Sequence, residues 1–472
     1  MNVFPPFRRV PISALAGLTA WVALATGSAS RVPAQAAPLD LAAALRVARV
    51  TGPLRKIADA RETAGTGRVG ESGQWPNPSI EWRRENLGSS LQPDIFATAY
   101  IPLDLTGRRL ALRQASGAGR QRVQADAEAE RRDAELAVAR AWLHAAAANG
   151  ARAVATRQWE ALDEIATVDA TRLREGLVSE AVGLRTQLEA DRARVVLVTA
   201  TGDAARAGAQ LARLIGVRPD ALPTLAALAA PAMPAAPDSN TVKAVALRAR
   251  PEVRARESAL REAQRRYTAE RRGLIGDMQL QGGTKQTSGF MTGQIGLAMP
   301  VPLFNRNDAA RQRSRGEYAE AQALRDDMLN QVEGGVGAAW RAYVASREAA
   351  AAASTFDARG REIARIARVA YREGHVTLTE LLDAERAATD ALNTHLRWAA
   401  DAWLSRLEFE RATGVAWTVL APALERAGAA GLLIGDLQRA VRPSERGYAF
   451  LNDLLLEFLG PGQAASPAMH SP

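Results

Sequence analysis

Side chains that commonly catalyse reactions or bind metals are few in this sequence, and they are not grouped. The four histidines, His144, His375, His395 and His470, have no carboxylates at the spacing of a metal site. The 472 residues contain no cysteine, which excludes disulfides, thiolate metal sites and thiol nucleophiles. Gly282-Gly283 is not followed by a phosphate-loop pattern, and neither a nucleophile elbow nor an HExxH motif is present. We therefore expect no enzymatic activity, no bound metal and no cofactor.

The charged residues do not form a chemical site either. The formal net charge is +9, but lysine occurs only at positions 56, 243 and 285, and arginine alternates with glutamate along the helical segments. That alternation is typical of solvated helix faces and does not produce a basic patch for nucleic acid. Alanine, arginine and glutamate are abundant and aromatic residues make up 5% of the chain, which favours long helices.

The N-terminus has the pattern of an export signal. Arg8 and Arg9 precede an apolar run from Ile12 to Ala25, and the small residues that follow end in Ala34-Gln35-Ala36. This order predicts a signal peptide over residues 1–36 and a mature start near Ala37. An uncleaved anchor is the alternative, although the run is shorter than the roughly 20 residues that a membrane-spanning helix needs.

Most of the remaining chain is an internal duplication. A constant offset of 198 residues maps Pro102 onto Pro300, Trp142 onto Trp340 and Gly176 onto Gly374. Two copies are too few for a solenoid, so we expect a bundle of two similar halves. The predicted divisions are a first repeat over 37–217, a linker over 218–240, a second repeat over 241–415 and an unrepeated segment over 416–472 that ends in a disordered tail.

Each repeat contains one segment with the alternation of β-strands, at about 78–104 and about 276–303. The offset places Ile80, Trp82, Ala97, Ala99 and Ile101 on the same apolar face as Met278, Leu280, Ile295, Leu297 and Met299. Polar residues such as Glu81, Arg83, Thr98, Gln279 and Gln294 take the other face. Strands of about ten residues match a tilted transmembrane strand. Four strands cannot close a barrel, so three chains with twelve strands are expected. A small soluble sheet packed on helices is the alternative.

Long helices follow each hairpin. No proline occurs between Thr106 and about Arg174, and a helix of that length would extend about 100 Å. The turn "REGLVSE" ends this helix. A second helix then returns along the first and carries a coiled-coil seam, so that the two helices together span about 106–216. The seam comprises Leu184, Leu188, Asp191, Val195 and Val198. We interpret Asp191 as a structural interruption that fixes register.

Three motifs resemble those of one protein family. "NPSIEW" before the first hairpin, "VPLFNRND" after the second and "YREGHVTLTELLDAERA" at the second helical turn are similar to the outer membrane factor (TolC-like) family of tripartite efflux systems. They are most similar to its heavy-metal branch, the cobalt–zinc–cadmium (CzcC-like) type. The resemblance extends from about Leu39 to Val415.

The resemblance implies a mainly α fold with a small transmembrane β part. Two pseudo-repeats, each of long coiled-coil helices and one β-hairpin, would trimerise into a twelve-stranded barrel in the outer membrane and an α-helical tunnel in the periplasm. Residues 218–240 and 416–472 would form an equatorial segment. The homotrimer would contact outer membrane lipid, a periplasmic adaptor (membrane fusion protein) and an inner-membrane RND transporter.

The implied function is passive conduction of substrate, heavy-metal cations in this branch, from that pump and adaptor to the exterior. An outer membrane channel for antibiotics or exported peptides is one alternative. A periplasmic adaptor, which also combines a signal peptide with coiled-coil hairpins, is the second.

The resemblance also implies functional positions. The adaptor-docking turns would be Gly176, Leu177, Val178 and Ser179 in the first repeat and Gly374, His375, Val376 and Thr377 in the second. Glu380 and Asp383 match acidic positions around the periplasmic entrance, where threefold symmetry would make rings of carboxylates that favour cations. The first repeat has Val182 opposite Glu380, so only one turn per chain would supply acid. An ordinary solvated helix face is the alternative for both carboxylates.

Overall fold

The chain builds the same series of elements twice: two short helices, two strands and a long helical hairpin. The computed structural model describes residues 37–85, 93–233, 239–274, 278–287, 289–353, 355–415, 433–436 and 440–443. All the helices and strands given below belong to one unit, Pro38–Pro472. The predicted signal peptide and the predicted disordered tail lie outside the described residues.

The bounds of the elements follow the duplication. The first copy comprises α1 (Leu41–Thr51), α2 (Pro53–Ser72), β1 (Ser79–Arg84), β2 (Ile95–Leu103), α3 (Arg108–Arg174) and α4 (Glu180–Ile215). The second comprises α5 (Ser239–Ala249), α6 (Pro251–Arg272), β3 (Met278–Thr287), β4 (Phe290–Ala298), α7 (Asp308–Ala353), α8 (Phe356–Arg372) and α9 (Leu378–Thr413). A 3-10 turn (Pro219–Ala221) and a small pair, β5 (Leu433–Asp436) and β6 (Ala440–Pro443), complete the described elements.

The offset of 198 found in the sequence is also the offset of the structure. Adding 198 to the bounds of α4, 180 and 215, gives 378 and 413, the bounds of α9. The same sum carries α1 onto α5 and the first residue of α2, Pro53, onto Pro251 of α6. Both prolines take the first position of a helix, where a missing N–H removes no helical hydrogen bond.

One long helix differs between the copies. α3 runs without a break for 67 residues, about 100 Å. Its counterpart in the second copy ends at Ala353, and a new helix begins at Phe356. The two parts, α7 and α8, both pack against α9.

The helices pack side by side. α4 packs on α3, α3 on α9, and α9 on α7 and α8, while α6 packs between α3 and α7. Three buried apolar clusters hold these contacts. One joins α5, α7 and α9, and in it the rings of Tyr343 and Phe409 stack 5.0 Å apart. The second joins α1, α3, α4 and α9 around Leu143 and Leu211, and the third joins α3, α4, α8 and α9 around Leu381. Each large aliphatic side chain buried in this way contributes about 1.5–3 kcal/mol.

The four long strands form one antiparallel sheet in the order β1-β2-β3-β4. β1 pairs with β2 and β3 pairs with β4, within the two segments where hairpins are predicted, and β2 pairs with β3 to join the two copies. β1 has six residues, fewer than the ten expected. By the offset of 198, the last four residues of β3 correspond to positions 86–89, which lie outside the described residues. The outer edges of the sheet are β1 and β4. The mostly helical architecture with a small strand part agrees with the fold class predicted from the sequence.

Hydrogen bonds accepted by short polar side chains occur where a strand is followed by a helix. At the end of β2, the Asp104 carboxylate accepts from the backbone N–H groups of Thr106, Arg108 and Arg109 at 3.1, 3.2 and 2.7 Å. The last two of these N–H groups belong to the first residues of α3, where backbone donors lack partners within the helix. After β4, Asn305 Oδ1 accepts from the backbone N–H of Asn307, the one non-glycine residue with positive φ among the described residues.

Candidate functional site

The two helical hairpins end in turns of matching backbone geometry. Gly176 and Gly374 have φ of 74° and 78°, as their position between two helical runs predicts. In the first turn, the N–H of Leu177 donates to Arg172 O at 2.8 Å and that of Gly176 to Leu173 O at 3.0 Å. The second turn repeats both bonds 198 residues later, His375 to Ala370 at 2.8 Å and Gly374 to Tyr371 at 3.1 Å. This pair of bonds is the Schellman motif, which needs a left-handed residue at the position of each glycine.

The side chains of the turns are mostly exposed. Leu177 keeps 69% of its surface and His375 is exposed, whereas Val178 and Val376, which lie at equivalent positions, are both half-buried. The remaining residues of the predicted docking turns, Ser179 and Thr377, precede α4 and α9. No described contact tests the docking role, which stays a prediction.

The fold brings the two turns together at one end of the helices. The Arg172 guanidinium donates to the carbonyl of Arg372 at 3.0 Å, and the Arg372 guanidinium pairs with Glu164. Arg172 also lies over the ring of Tyr371, with 5.6 Å between the guanidinium carbon and the ring centroid. Two segments about 200 residues apart in sequence therefore form one surface.

A buried polar cluster beneath this surface was missed by the sequence reasoning. Asp169 on α3 is fully buried, and its carboxylate accepts from the hydroxyl of Tyr371 on α8 at 2.8 and 3.0 Å. Arg172 supplies a nearby positive charge at 3.8 Å. Burial, together with the hydrogen bond to Asp169, raises the pKa of Tyr371 to about 12. A buried carboxylate needs such partners, so the cluster ties α8 to α3 near the turns.

The two predicted entrance carboxylates are exposed, and both have partners within the chain. Glu380 Oε2 accepts from the backbone N–H of Thr377 at 2.7 Å, while Thr377 Oγ1 accepts from the N–H of Glu380 at 3.3 Å. This is a capping box at the start of α9, and the hydrogen bond from the Thr377 backbone lowers the pKa of Glu380. Asp383 lies 3.5 Å from Arg386, which also reaches Glu189 on α4 at 3.3 Å.

Two apolar stripes on the long helices are exposed in this chain. The predicted seam on α4 lies on the surface, because α4 packs on α3 through small residues such as Ala190 and Ala193. Its residues Leu184, Leu188, Val195 and Val198 form the α4 stripe and keep between 50% and 66% of their surface. The α8 stripe comprises Ile363, Ile366 and Val369. α4 and α8 are the two edges of the row formed by α4, α3, α9 and α8.

The sheet has one apolar and one polar face, as predicted. Register places Ile80 opposite Ala99 and Leu280 opposite Leu297, so the apolar residues of all four strands share one face. Its large apolar side chains are exposed: Ile80 and Ile295 keep 82% and 83% of their surface. On the polar face, Thr98 keeps 7% and accepts a hydrogen bond from Gln294 Nε2 at 3.0 Å. A sheet in a soluble core would bury its apolar side and expose its polar side.

Metal clusters and membrane-spanning helices are both absent from the described part of the chain. Within the ranges given above, no group of three or more His, Asp or Glu side chains is arranged to hold a metal ion. Over the same residues, every helix is too short or too polar to span a bilayer.

Comparison with known proteins identifies the architecture. Residues 84–217 match the model of the Outer membrane efflux protein family, whose members are non-enzymatic transport proteins. No functionally curated protein matches the sequence.

Solved structures match the fold over most of the chain. The CmeC outer membrane channel of Campylobacter jejuni superposes with a TM-score of 0.68 at 16% identity, covering 79% of this chain and 85% of CmeC. CusC superposes with a TM-score of 0.65 at 18% identity, covering 79% of this chain and 92% of CusC. The MtrE outer membrane channel of Neisseria gonorrhoeae superposes with a TM-score of 0.65 at 20% identity, covering 79% of this chain and 89% of MtrE. The described chain therefore has the fold of outer membrane channels.

Proposed function

We propose that this chain, which joins an outer membrane efflux protein segment to an outer membrane channel fold, is the outer membrane channel of a tripartite efflux system. The observation that carries the proposal is the sheet, in which the apolar residues of all four strands share one face that is largely exposed, opposite a polar face. Such a sheet is stable where lipid contacts one face and water the other. A periplasmic adaptor, which is the alternative from a different class of protein, would not contain a sheet whose apolar face contacts lipid.

The sheet edges require further copies of the chain. β1 and β4 each have one unpaired side, and unpaired strand edges are not tolerated in the hydrocarbon region of a membrane. Pairing β4 of one chain with β1 of the next satisfies both edges. Three chains would contribute twelve strands, an even number in the range of bacterial barrels. We therefore propose a homotrimer in the outer membrane.

The helices support the same arrangement. The α4 stripe and the α8 stripe lie on opposite edges of the helical row, so one edge of each chain can meet the other edge of its neighbour. A contact between two different surfaces closes into a ring when the rotation between copies fits. The heptad-like spacing of the α4 stripe suits a coiled-coil contact with α8. The resulting wall would be a helical tunnel that extends into the periplasm.

The turns at the far end of the helices would receive the partners. Leu177 and His375 present an exposed surface, and the Asp169–Tyr371 bond fixes the two turns relative to each other. We propose that a periplasmic adaptor docks on this surface and links the channel to an inner-membrane RND transporter. The channel itself would conduct passively.

We propose two classes of exported substrate, heavy-metal cations first and antibiotics or peptides second. The sequence resemblance favours heavy-metal cations, which Glu380 and Asp383 would attract at the tunnel entrance. Antibiotics or peptides are the second class. They are favoured by the structure around those carboxylates, because Glu380 is engaged in a capping box and Asp383 is paired with Arg386.

Disulfide cross-linking would test the trimer directly, because the chain has no cysteine of its own. Leu188 and Ile366 lie at similar distances along their helices from the turns, so the double variant Leu188→Cys/Ile366→Cys should yield covalent trimers in the outer membrane fraction. The control pairs Leu188→Cys with Arg361→Cys, because Arg361 lies in a groove that α8 forms with α3 and α9. Equal cross-linking in both pairs, or a monomer in the soluble periplasmic fraction, would contradict the proposal.

A further inference from the structure

Three neighbouring strands place one aromatic and two cationic side chains together on the polar face of the sheet. Register sets Arg83 of β1 opposite Phe96 of β2, and Phe96 opposite Lys285 of β3. The Arg83 guanidinium carbon lies 4.8 Å from the centroid of the Phe96 ring, and Lys285 Nζ lies 5.0 Å from it. Both distances are within the range of cation–π attraction. Phe96 therefore holds both cations at the sheet surface.

This cluster lies near the end of the sheet that is far from the helices. β1 ends at Arg84 and β3 at Thr287, whereas the helices connect to the opposite ends, at Leu103 of β2 and Met278 of β3. In a barrel continuous with a periplasmic tunnel, the far end is the external one. The polar face would line the lumen, so the cluster would stand inside the exit.

The two cations differ in how their charge is compensated. Arg83 Nε lies 3.3 Å from Glu85 and 4.0 Å from Glu81, so two carboxylates share its charge. Lys285 is not paired with any carboxylate of the described residues, and its ammonium group lies over the ring of Phe96. Lys285 is also half-buried, which limits the water around its ammonium group. Its charge is thus the uncompensated one of the pair.

We propose that Lys285, held by Phe96 and repeated in three chains, forms a cationic ring in the barrel exit that binds the acid group of an organic anion. The inference rests on the proposed trimeric channel and specifies its substrate class. Rings of cationic side chains select anions in pores, and the low-dielectric wall strengthens their field. A carboxylate or sulfonate passing the exit would meet three ammonium groups, whereas a free divalent cation would be repelled.

The proposal separates the two ends of the conduit. Carboxylates are predicted near the periplasmic entrance, and the uncompensated lysine stands at the exit. Substrates that bear an acid group within a larger organic frame would pass the exit more readily than free metal cations. Within the proposed function, the lysine ring therefore favours organic anions over heavy metals as the exported class.

Ion selectivity of purified full-length trimers in planar bilayers would test the site. In a roughly tenfold KCl gradient, Lys285→Gln should shift the reversal potential toward cation preference, and Lys285→Glu should shift it further. Benzenesulfonate should block the wild-type current, and Lys285→Gln should raise the half-blocking concentration roughly threefold to fivefold, as for one screened ion pair. Arg84→Gln is the matched control, because Arg84 is the exposed neighbour of Arg83 on the opposite, lipid-facing side.

A cysteine variant adds a readout that does not depend on removing the charge. Lys285→Cys would introduce the single thiol of the chain, so a cationic thiol reagent should restore the wild-type reversal potential and an anionic one should shift it further toward cation preference. Wild-type trimers that conduct, with the same reversal potential and block in the Lys285 variants, would overturn the anion site alone. Wild-type protein that forms no channel would overturn the proposed function itself.

Discussion

The two helical turns share one backbone and differ in side-chain chemistry. Gly176 and Gly374 have nearly equal φ values and equivalent capping hydrogen bonds. Thr377 and Glu380 form a capping box in the second copy, whereas Ser179 makes no side-chain capping bond and Val182 stands in place of Glu380. The duplication has retained the geometry that positions the turns and has changed the groups that a partner or an ion would meet.

The same distinction holds for the two hairpins of the sheet. Both copies place apolar residues on the exposed face, Ile80 in the first and Leu280 in the second. The polar face differs, because the offset of 198 carries Arg83 of the first copy onto the uncharged Gln281 of the second. The middle of the face that would meet lipid is apolar in both copies, whereas the side that would line the lumen has diverged.

The largest effect should come from a charge placed on the lipid-facing side of the sheet. Leu297→Arg, or Leu280→Arg opposite it in register, should strongly reduce the amount of trimer in the outer membrane. A cation at the midplane of a barrel costs about 2–4 kcal/mol, and a trimer carries it in every chain. Quantifying heat-resistant trimers in the outer membrane fraction measures the effect.

Gln294→Arg and Gln279→Arg are the matched controls. Both positions lie on the polar face of the same strands, where water would hydrate the guanidinium. Trimer yields close to wild type are expected. An equal loss for both faces would show that the sheet is not in a membrane.

The turns should give a smaller but more specific effect. Gly374→Val places a β-branched residue at φ of 78°, and nothing lies within 4 Å of the added Cβ, so the cost is backbone strain of roughly 1–2 kcal/mol. The trimers should still reach the outer membrane, because the turn lies at the end of the helices opposite the sheet. Export and adaptor cross-linking should fail.

Two substitutions sharpen this comparison. Gly374→Asn should be tolerated, because asparagine adopts positive φ more readily than other residues. Gly176→Val should abolish export and adaptor cross-linking as Gly374→Val does, if the adaptor uses both turns. Normal export by Gly374→Val would contradict the assignment of these turns as the docking site.

The features that could be predicted from sequence are those with a local pattern. Alternation along the strands indicated the two faces of the sheet, and a glycine between two helical runs indicated the positive φ of Gly374. The repeat offset indicated the correspondence of α4 with α9. In each case the physical requirement acts on residues close together in the chain or on a pattern that the chain repeats.

The features that could not be predicted depend on distant contacts or occur in a single copy. Asp169 and Tyr371 are 202 residues apart, and the offset pairs them with Ala367 and Leu173, which cannot form the same bond. The break between α7 and α8 has no equivalent in α3. The seam on α4 was recognised from its spacing, but the α8 stripe lies among arginines and was not recognised.

The buried cluster beneath the turns should be sensitive to alkaline pH. The pKa of Tyr371 rises from 10.0 in an unfolded chain to about 12 in the fold, so the folded state favours the protonated hydroxyl. Its contribution is therefore complete below about pH 10 and is lost as the pH rises through about 12, by at most about 2–3 kcal/mol. Denaturant unfolding of the purified protein between about pH 9 and pH 12 would measure this loss.

Tyr371→Phe isolates this contribution from that of other tyrosines, including Tyr343, whose pKa burial also raises to about 12. The variant should be less stable than wild type at about pH 9, because the buried Asp169 loses its donor. The difference in the free energy of unfolding between wild type and Tyr371→Phe should then become smaller above about pH 10. A difference that stays constant up to about pH 12 would show that Tyr371 ionises as an exposed tyrosine does.

The smallest effect is expected at the entrance carboxylates. Glu380→Gln with Asp383→Asn removes two negative charges per chain, yet the capping box can persist, since that motif accepts either glutamate or glutamine at its third helical position. Docking, measured by adaptor cross-linking, should therefore be unchanged. Purified trimers should lose some of their cation preference, measured as a shift in the reversal potential. The shift should be modest, because both carboxylates are exposed and Asp383 is already paired with Arg386.

The comparison with Lys285→Gln is informative, because both experiments measure the reversal potential and test opposite ends of the proposed conduit. An unchanged reversal potential in the carboxamide variant would make Glu380 and Asp383 ordinary residues of a solvated helix face, with selectivity set at the exit.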